Sequence, residues 1–181
     1  MQVDLYSEED ILKGCRKNKR QYQEILYRKY AGTMYGICMS YAGNRDIAQD
    51  MLQDSFIKIF KKIKDFNSAG SLEGWIRKIV TNTAIDHMRK QTREYSYIAE
   101  KDEVYDDIYP AEAIENLKVQ DLMNIVAKLP EGARIIFNLY ALEGFTHKEI
   151  AAKMNISEGT SKSQFNRARK MLMSLLGKHS V

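Results

Sequence analysis

With 181 residues, 44% of them hydrophobic, the chain suits one domain or two small ones, and no apolar run approaches the length of a membrane span. Its amino terminus carries Asp4, Glu8, Glu9 and Asp10 rather than the basic-then-apolar order of a secretion signal, which predicts a cytoplasmic protein without membrane insertion. The net charge of +4 conceals an asymmetry of +6 over residues 1–93, −7 over 94–121 and +5 over 122–181, the pattern of two nucleic-acid-binding modules flanking an acidic strip.

Period and caps predict four helices in the first block, at Ser7–Arg16, Lys19–Tyr41, Arg45–Lys64 and, after a loop Asp65–Ser71, Leu72–Arg89. In the third, Ile47, Met51, Ser55, Phe56, Ile59, Phe60 and Ile63 fill one stripe and leave Asp46, Gln49, Asp50, Gln53 and Asp54 facing outward. In the fourth, Trp75, Ile76, Ile79, Val80, Ala84, Ile85 and Met88 face inward, while Arg77, Lys78, Asn82, Asp86, Arg89 and Lys90 stay polar. Asp86 and His87 read as a polar surface pair. Trp75, beside Ile76 and Ile79, reads as core, with a base-stacking platform as the alternative.

From 91 to 113 helical patterning fades among acidic residues and tyrosines, predicting a flexible connector. The second block then gives helices near Ile114–Leu129 and Glu131–Glu143, a short helix His147–Met154, a turn at Asn155, and a helix opened by Ser157. Two helices joined by a short turn, the second basic on its polar face, place side chains in the DNA major groove. Ile150, Ala151, Met154, Ile156, Phe165, Ala168, Leu172, Leu175 and Leu176 supply the shared core. Ala151 allows a close crossing, Asn155 enters the left-handed region at modest cost, and Ser157 can cap the following helix. Opposite this core, Lys162, Ser163, Asn166, Arg167 and Lys170 form a donor-rich stripe for phosphates and base edges. The expected fold class is therefore all-α, with two small helical domains at 1–92 and 114–181 joined by an acidic linker at 93–113.

Cys15 and Cys38 lack metal-ligand spacing, and His87, His147 and His179 are scattered, so neither a metal site, a cofactor nor a disulfide framework is expected. No Gly-rich phosphate loop, paired catalytic carboxylates or nucleophile beside a histidine can be read, so no catalytic residues and no enzyme activity are expected.

Taken in order, DIAQDMLQDSFIKIF (Asp46–Phe60), GWIRKIVTNTAIDHMRK (Gly74–Lys90) and LPEGARIIFNLYALEGFTHKEIAAKMNISEGTSKSQFNRARKML (Leu129–Leu172) resemble a sigma factor of the extracytoplasmic-function group of the sigma-70 family. These are the RNA polymerase subunits that recognise promoters. The resemblance implies core RNA polymerase and promoter DNA as partners. Residues 1–92 would be region 2, with Asp46, Asp50, Gln53 and Asp54 against the clamp helices of the β′ subunit. Arg77 and Lys78 would hold phosphates of the melted −10 strand, and Asn82 and Thr83, with Ala84, would open a loop that takes up a flipped base, breaking the fourth helix there. Residues 114–181 would be region 4, meeting the β flap and using Lys162, Ser163, Asn166, Arg167 and Lys170 on the −35 element.

An anti-sigma protein covering these faces is also implied. Ser161 departs from the family pattern, which usually has a β-branched apolar residue there, so this recognition helix is expected to pack or tilt in its own way. Opening about ten base steps costs about 14 kcal/mol, more than a lone sigma can supply, so the polymerase clamp must contribute. About 23 connector residues reach about 78 Å extended but average about 26 Å as a relaxed coil. The domains are therefore expected close together in the free protein, with the acidic strip Asp102–Asp107 shielding basic surface, and apart on polymerase. The competing reading is a stand-alone helix-turn-helix regulator whose N-terminal helices form a dimer interface or a sensor.

Overall fold

A computed structural model describes residues 6–94, with side chains as far as Lys90, and residues 125–177. The connector, its strip Asp102–Asp107, His179 and most of the predicted helix Ile114–Leu129 lie outside the described residues. All regular elements among the described residues are helical. The chain divides into two compact units between His87 and Met88, inside the fourth helix.

The first unit opens with α1 (Glu8–Arg16), capped by the Ser7 hydroxyl, which accepts from the Asp10 amide. Helix α2 (Arg20–Ala42) ends at Gly43, whose φ of 64° lies in the left-handed region open to glycine. Asn44 then caps α3 (Arg45–Lys62) by accepting from the amides of Asp46 and Ile47. A single 3₁₀ turn, Ile63–Asp65, closes α3, and α4 (Leu72–Glu94) follows. Leu26, Met34, Tyr41, Met51, Ile59, Ile76 and Val80 are buried in this unit, as the helical period predicts.

Side-chain contacts fasten α1, among them two at its C-terminal end. Gly14 packs directly under the Tyr22 ring. The Arg16 guanidinium donates to the Phe66 carbonyl at 2.6 Å, and Phe66 is itself buried and tilted against Trp75 at 5.5 Å. The two cysteines are buried, and desolvation pushes the Cys15 thiol to about 11 and the Cys38 thiol to about 12, far from the thiolate range of reactive cysteines.

One expectation fails here. The helix break implied at Asn82 does not occur: α4 runs through it, with Thr81, Thr83, Ala84 and Ile85 all buried. The apolar period of this segment outweighs the loop that the resemblance implies.

Beyond α4, whose last residues Met88–Glu94 belong to the second unit, the described residues resume with a helical turn at Ile125 and Val126, followed by α5 (Glu131–Phe137). The predicted helix to Glu143 is α-helical only to Phe137 and widens into a π turn at Asn138–Leu142. Then come α6 (His147–Met154) and α7 (Glu158–Gly177). Ile125, Val126, Leu129, Ala133, Ala168, Leu172 and Leu176 form one buried cluster, with Phe137, Met171 and Leu175 packed against it.

Arg134 is buried and donates to the carbonyls of Ala127 (3.4 Å) and Leu129 (3.0 Å), acceptors that the preceding helical turn leaves without intrahelical partners. Burial lowers the pKa of its guanidinium, opposed by Glu131. Arg134→Met, similar in length but without donors, is expected to cost about 2–3 kcal/mol by stranding those carbonyls. Chemical denaturation followed by circular dichroism would measure it.

Candidate nucleic-acid interface

The helix-turn-helix expected from the sequence is present, and each part of its turn has a local cause. The Thr146 hydroxyl accepts from the Glu149 amide while the Glu149 carboxylate accepts from the Thr146 amide, a reciprocal box that starts α6. Donation to this carboxylate by the Thr146 amide, and by the Thr146 hydroxyl at 2.7 Å, holds the Glu149 carboxyl below the usual range. Asn155 sits at φ 57° and ψ 47°, ending α6. The Ile156 amide then donates back to the Ala151 carbonyl at 3.1 Å. Ser157 starts α7 by accepting from the Thr160 amide at 2.9 Å.

On α7, Lys162, Asn166, Arg167 and Lys170 are exposed. Ser163 is half-buried and its hydroxyl donates to the Thr160 carbonyl, so it offers an acceptor rather than a donor to the surface. Lys162 is 3.0 Å from Glu158 one turn earlier, and this bond holds the Glu158 carboxyl below its ordinary range. Both side chains are half exposed, so the pairing is easily exchanged for a phosphate. Ser161, the departure noted in the sequence, is fully buried, and its hydroxyl is 2.9 Å from the His147 Nδ1. The His147 ring stacks on Tyr140 at 4.4 Å and meets Phe165 edge-on at 5.7 Å. Burial, reinforced by Lys162 and opposed by Glu158, pushes the His147 pKa below its ordinary 6.5, leaving a neutral ring at neutral pH.

In the first unit, Lys78 is exposed and Arg77 and Asn82 are half-buried, with Lys78 and Asn82 one turn apart on the same stripe of α4. Thr83 requires a correction. It is 1% exposed, its hydroxyl donates to the Ile79 carbonyl at 2.8 Å and accepts from the Lys58 ammonium at 3.1 Å. No face of Thr83 is left for DNA. Trp75 is half-buried against Phe66 and reads as packing.

The sequence reading gave no role to residues 67–71, all exposed and preceding α4. There Asn67 accepts from the Ala69 amide, Ser68 takes a φ of 59°, and Ser71 accepts from the Gly74 amide to start the helix. The signal was the run Asn67-Ser-Ala-Gly-Ser, rich in turn formers.

On α3, Asp46, Asp50, Gln53 and Asp54 form an exposed row, with Ile57, 44% exposed, one turn beyond Gln53. Asp54 is 2.8 Å from His87 Nε2 on α4, and Lys58 is 3.6 Å from Asp86. Asp86 and His87 thus each pair with α3 instead of with one another.

Family models match both units in chain order: Sigma-70 region 2 over residues 26–94 and Sigma-70 region 4 over residues 119–172. The ECF RNA polymerase sigma factor SigE of Mycolicibacterium smegmatis is 29% identical over 163 residues, 86% of this chain and 62% of that protein. The ECF RNA polymerase sigma factor SigW of Bacillus subtilis is 28% identical over 172 residues, 89% and 92% of the two chains. The chain belongs to the extracytoplasmic-function group of the sigma-70 family. This sigma factor is accordingly a protein of promoter-specific transcription initiation, and the region 2 match disfavours a stand-alone regulator. Among solved structures it is similar to the sigma factor RpoE of Bartonella quintana, crystallised with the anti-sigma factor NepR, at 27% identity and a TM-score of 0.47 over 85% of this chain and 96% of that one.

Both candidate surfaces of the sigma factor fall inside the matched regions: α3 and α4 in region 2, and the Lys162–Lys170 stripe of α7 in region 4. Helix α1 precedes the region 2 match. Among the described residues, no group of three or more His, Cys, Asp or Glu could hold a metal, and no helix is long and apolar enough to cross a membrane.

Proposed function

We propose that the acidic row of α3, Asp46, Asp50, Gln53 and Asp54, docks the clamp helices of the polymerase β′ subunit, while α4 and α7 read the two promoter elements. In support, two units carry separate faces of opposite character: a carboxylate row on α3 and an exposed basic stripe of Lys162, Asn166, Arg167 and Lys170 on α7. The basic stripe, presented by a capped helix-turn-helix, is the observation that carries the reading. Carboxylates flanking a glutamine suit a basic protein surface through charge-assisted hydrogen bonds. Basic and amide side chains on a helix suit phosphates and guanine edges.

On α4, Arg77 and Lys78 bind backbone phosphates of the melted −10 strand, and Asn82 with the exposed loop 67–71 contacts the unstacked bases. On α7, the stripe enters the major groove of the −35 element, and this region 4 unit also meets the β flap. Residues 1–92 serve the first task, 114–181 the second, and 93–113 connect them. The protein works in the cytoplasm, without chemistry of its own. An anti-sigma protein that covers these faces is a further partner in this reading.

Run-off transcription from a promoter library, with core polymerase in the presence and absence of this chain, tests the assignment. Promoter-specific transcripts that require the chain, and that vanish when either the −10 or the −35 element is scrambled, are expected. Tight operator binding by the chain alone, without transcription, would overturn it.

A further inference from the structure

Ser161 is the one wholly buried polar side chain on the recognition helix among the described residues, and its partner comes from another element. A buried hydroxyl left without a partner is costly, so the bond to His147 specifies this contact. His147 is in turn fixed on its other sides, its ring stacked on Tyr140 of the π turn and set edge-on to Phe165 of α7. The imidazole is therefore the point where the π turn, the first residue of α6 and the first turns of α7 meet.

Helical geometry links this point to the DNA-facing stripe. Ser161 and Phe165 stand four residues apart on one edge of α7, and Lys162, Asn166 and Lys170 run along the next edge, about 100° around the axis. A change in the spacing or rotation of α7 at Ser161 moves all three together. We propose that His147 is a positioning residue for −35 recognition: through its hydrogen bond to buried Ser161 it sets how α7 presents Lys162, Ser163 and Asn166, and so which −35 sequence is chosen. This inference rests on the proposed reading of α7. The charged groups beside the ring are Lys162 and Glu158, which pair with each other, and neither replaces His147 as the partner of Ser161.

The test is in vitro transcription by core polymerase with the full chain, on promoters with a fixed −10 element and a randomised −35 element, alongside thermal melts. Ser161→Ala removes the hydroxyl with little change in volume and so keeps the fold. It is expected to reduce discrimination between the favoured −35 sequence and its single-base variants about tenfold. His147→Asn, whose amide can stand in for Nδ1, should retain the favoured sequence, whereas His147→Leu should not. The double variant His147→Leu with Ser161→Val replaces the polar pair by an apolar one and should enrich a different −35 set.

Unchanged −35 selection in both Ser161→Ala and the double variant would overturn the inference, leaving the bond a packing detail. A wild-type chain that enriches no −35 sequence at all would overturn the reading of α7 itself, and this inference with it.

Discussion

Alanine at Asp50 and Gln53 together is expected to weaken binding of this sigma factor to core polymerase about 100-fold while leaving its melting temperature unchanged. Both side chains are exposed on α3, one turn apart. Hydrogen bonds to charged groups contribute about 1.5–3 kcal/mol each. Losing two at the lower end of that range removes about 3 kcal/mol, or about two powers of ten in affinity. Asp54 is a poorer probe, because its carboxylate also pairs with His87 across to α4. Asp54→Ala mixes a docking defect with loosening of α3 against α4, and is expected to lower both affinity and melting temperature. Fluorescence titration of labelled chain with core polymerase, read beside a thermal melt, separates the two. Wild-type affinity in the Asp50/Gln53 variant would remove this face from the docking surface.

Gly14→Ala is expected to be the most damaging single-methyl change in the first unit. A Cβ placed there lies 2.1 Å from Cγ, 2.3 Å from Cδ2 and 2.6 Å from Cβ of Tyr22, the root of the side chain and not its flexible end. Overpacking of this kind costs about 1–3 kcal/mol, and the contact at the ring root puts this site at the upper end. For a unit of this size that is a fall of about 10–20 °C in melting temperature. Gly32 and Gly36, in the middle of α2 with nothing within 4 Å of an added methyl, should respond in the opposite sense. Alanine at either is expected to stabilise by about 0.5–1 kcal/mol, because glycine loses more backbone freedom on folding. Melts of the three variants check the sign. The damage would reach the proposed DNA surface too, since Arg16 of α1 holds the Phe66 carbonyl at the root of the 67–71 loop.

How much could be read from sequence follows from the range of each interaction. The Asn155 turn and the Ser157 cap are made within a few residues, so their residue types announce them. The outward row of α3 is a matter of helical period and is equally plain. Thr83 carried its own signal, standing four residues after Ile79, on the buried side of α4. The family resemblance overrode that signal, and the structure sides with the period. The Asp54–His87 pair joins residues 33 apart, and no local pattern encodes it. Ser161 was visible as an anomaly, but the histidine that accounts for it stands 14 residues earlier on a different helix.

The region 4 match ends at Leu172, yet the buried cluster of the second unit runs from Ile125 to Leu176, with Leu175 packed against it. A fragment trimmed to the family boundary would therefore lose Leu175 and Leu176 from that core. A stretch of α7 beyond the proposed DNA-reading stripe thus belongs to the core of the module, and any excised or transplanted version has to carry it.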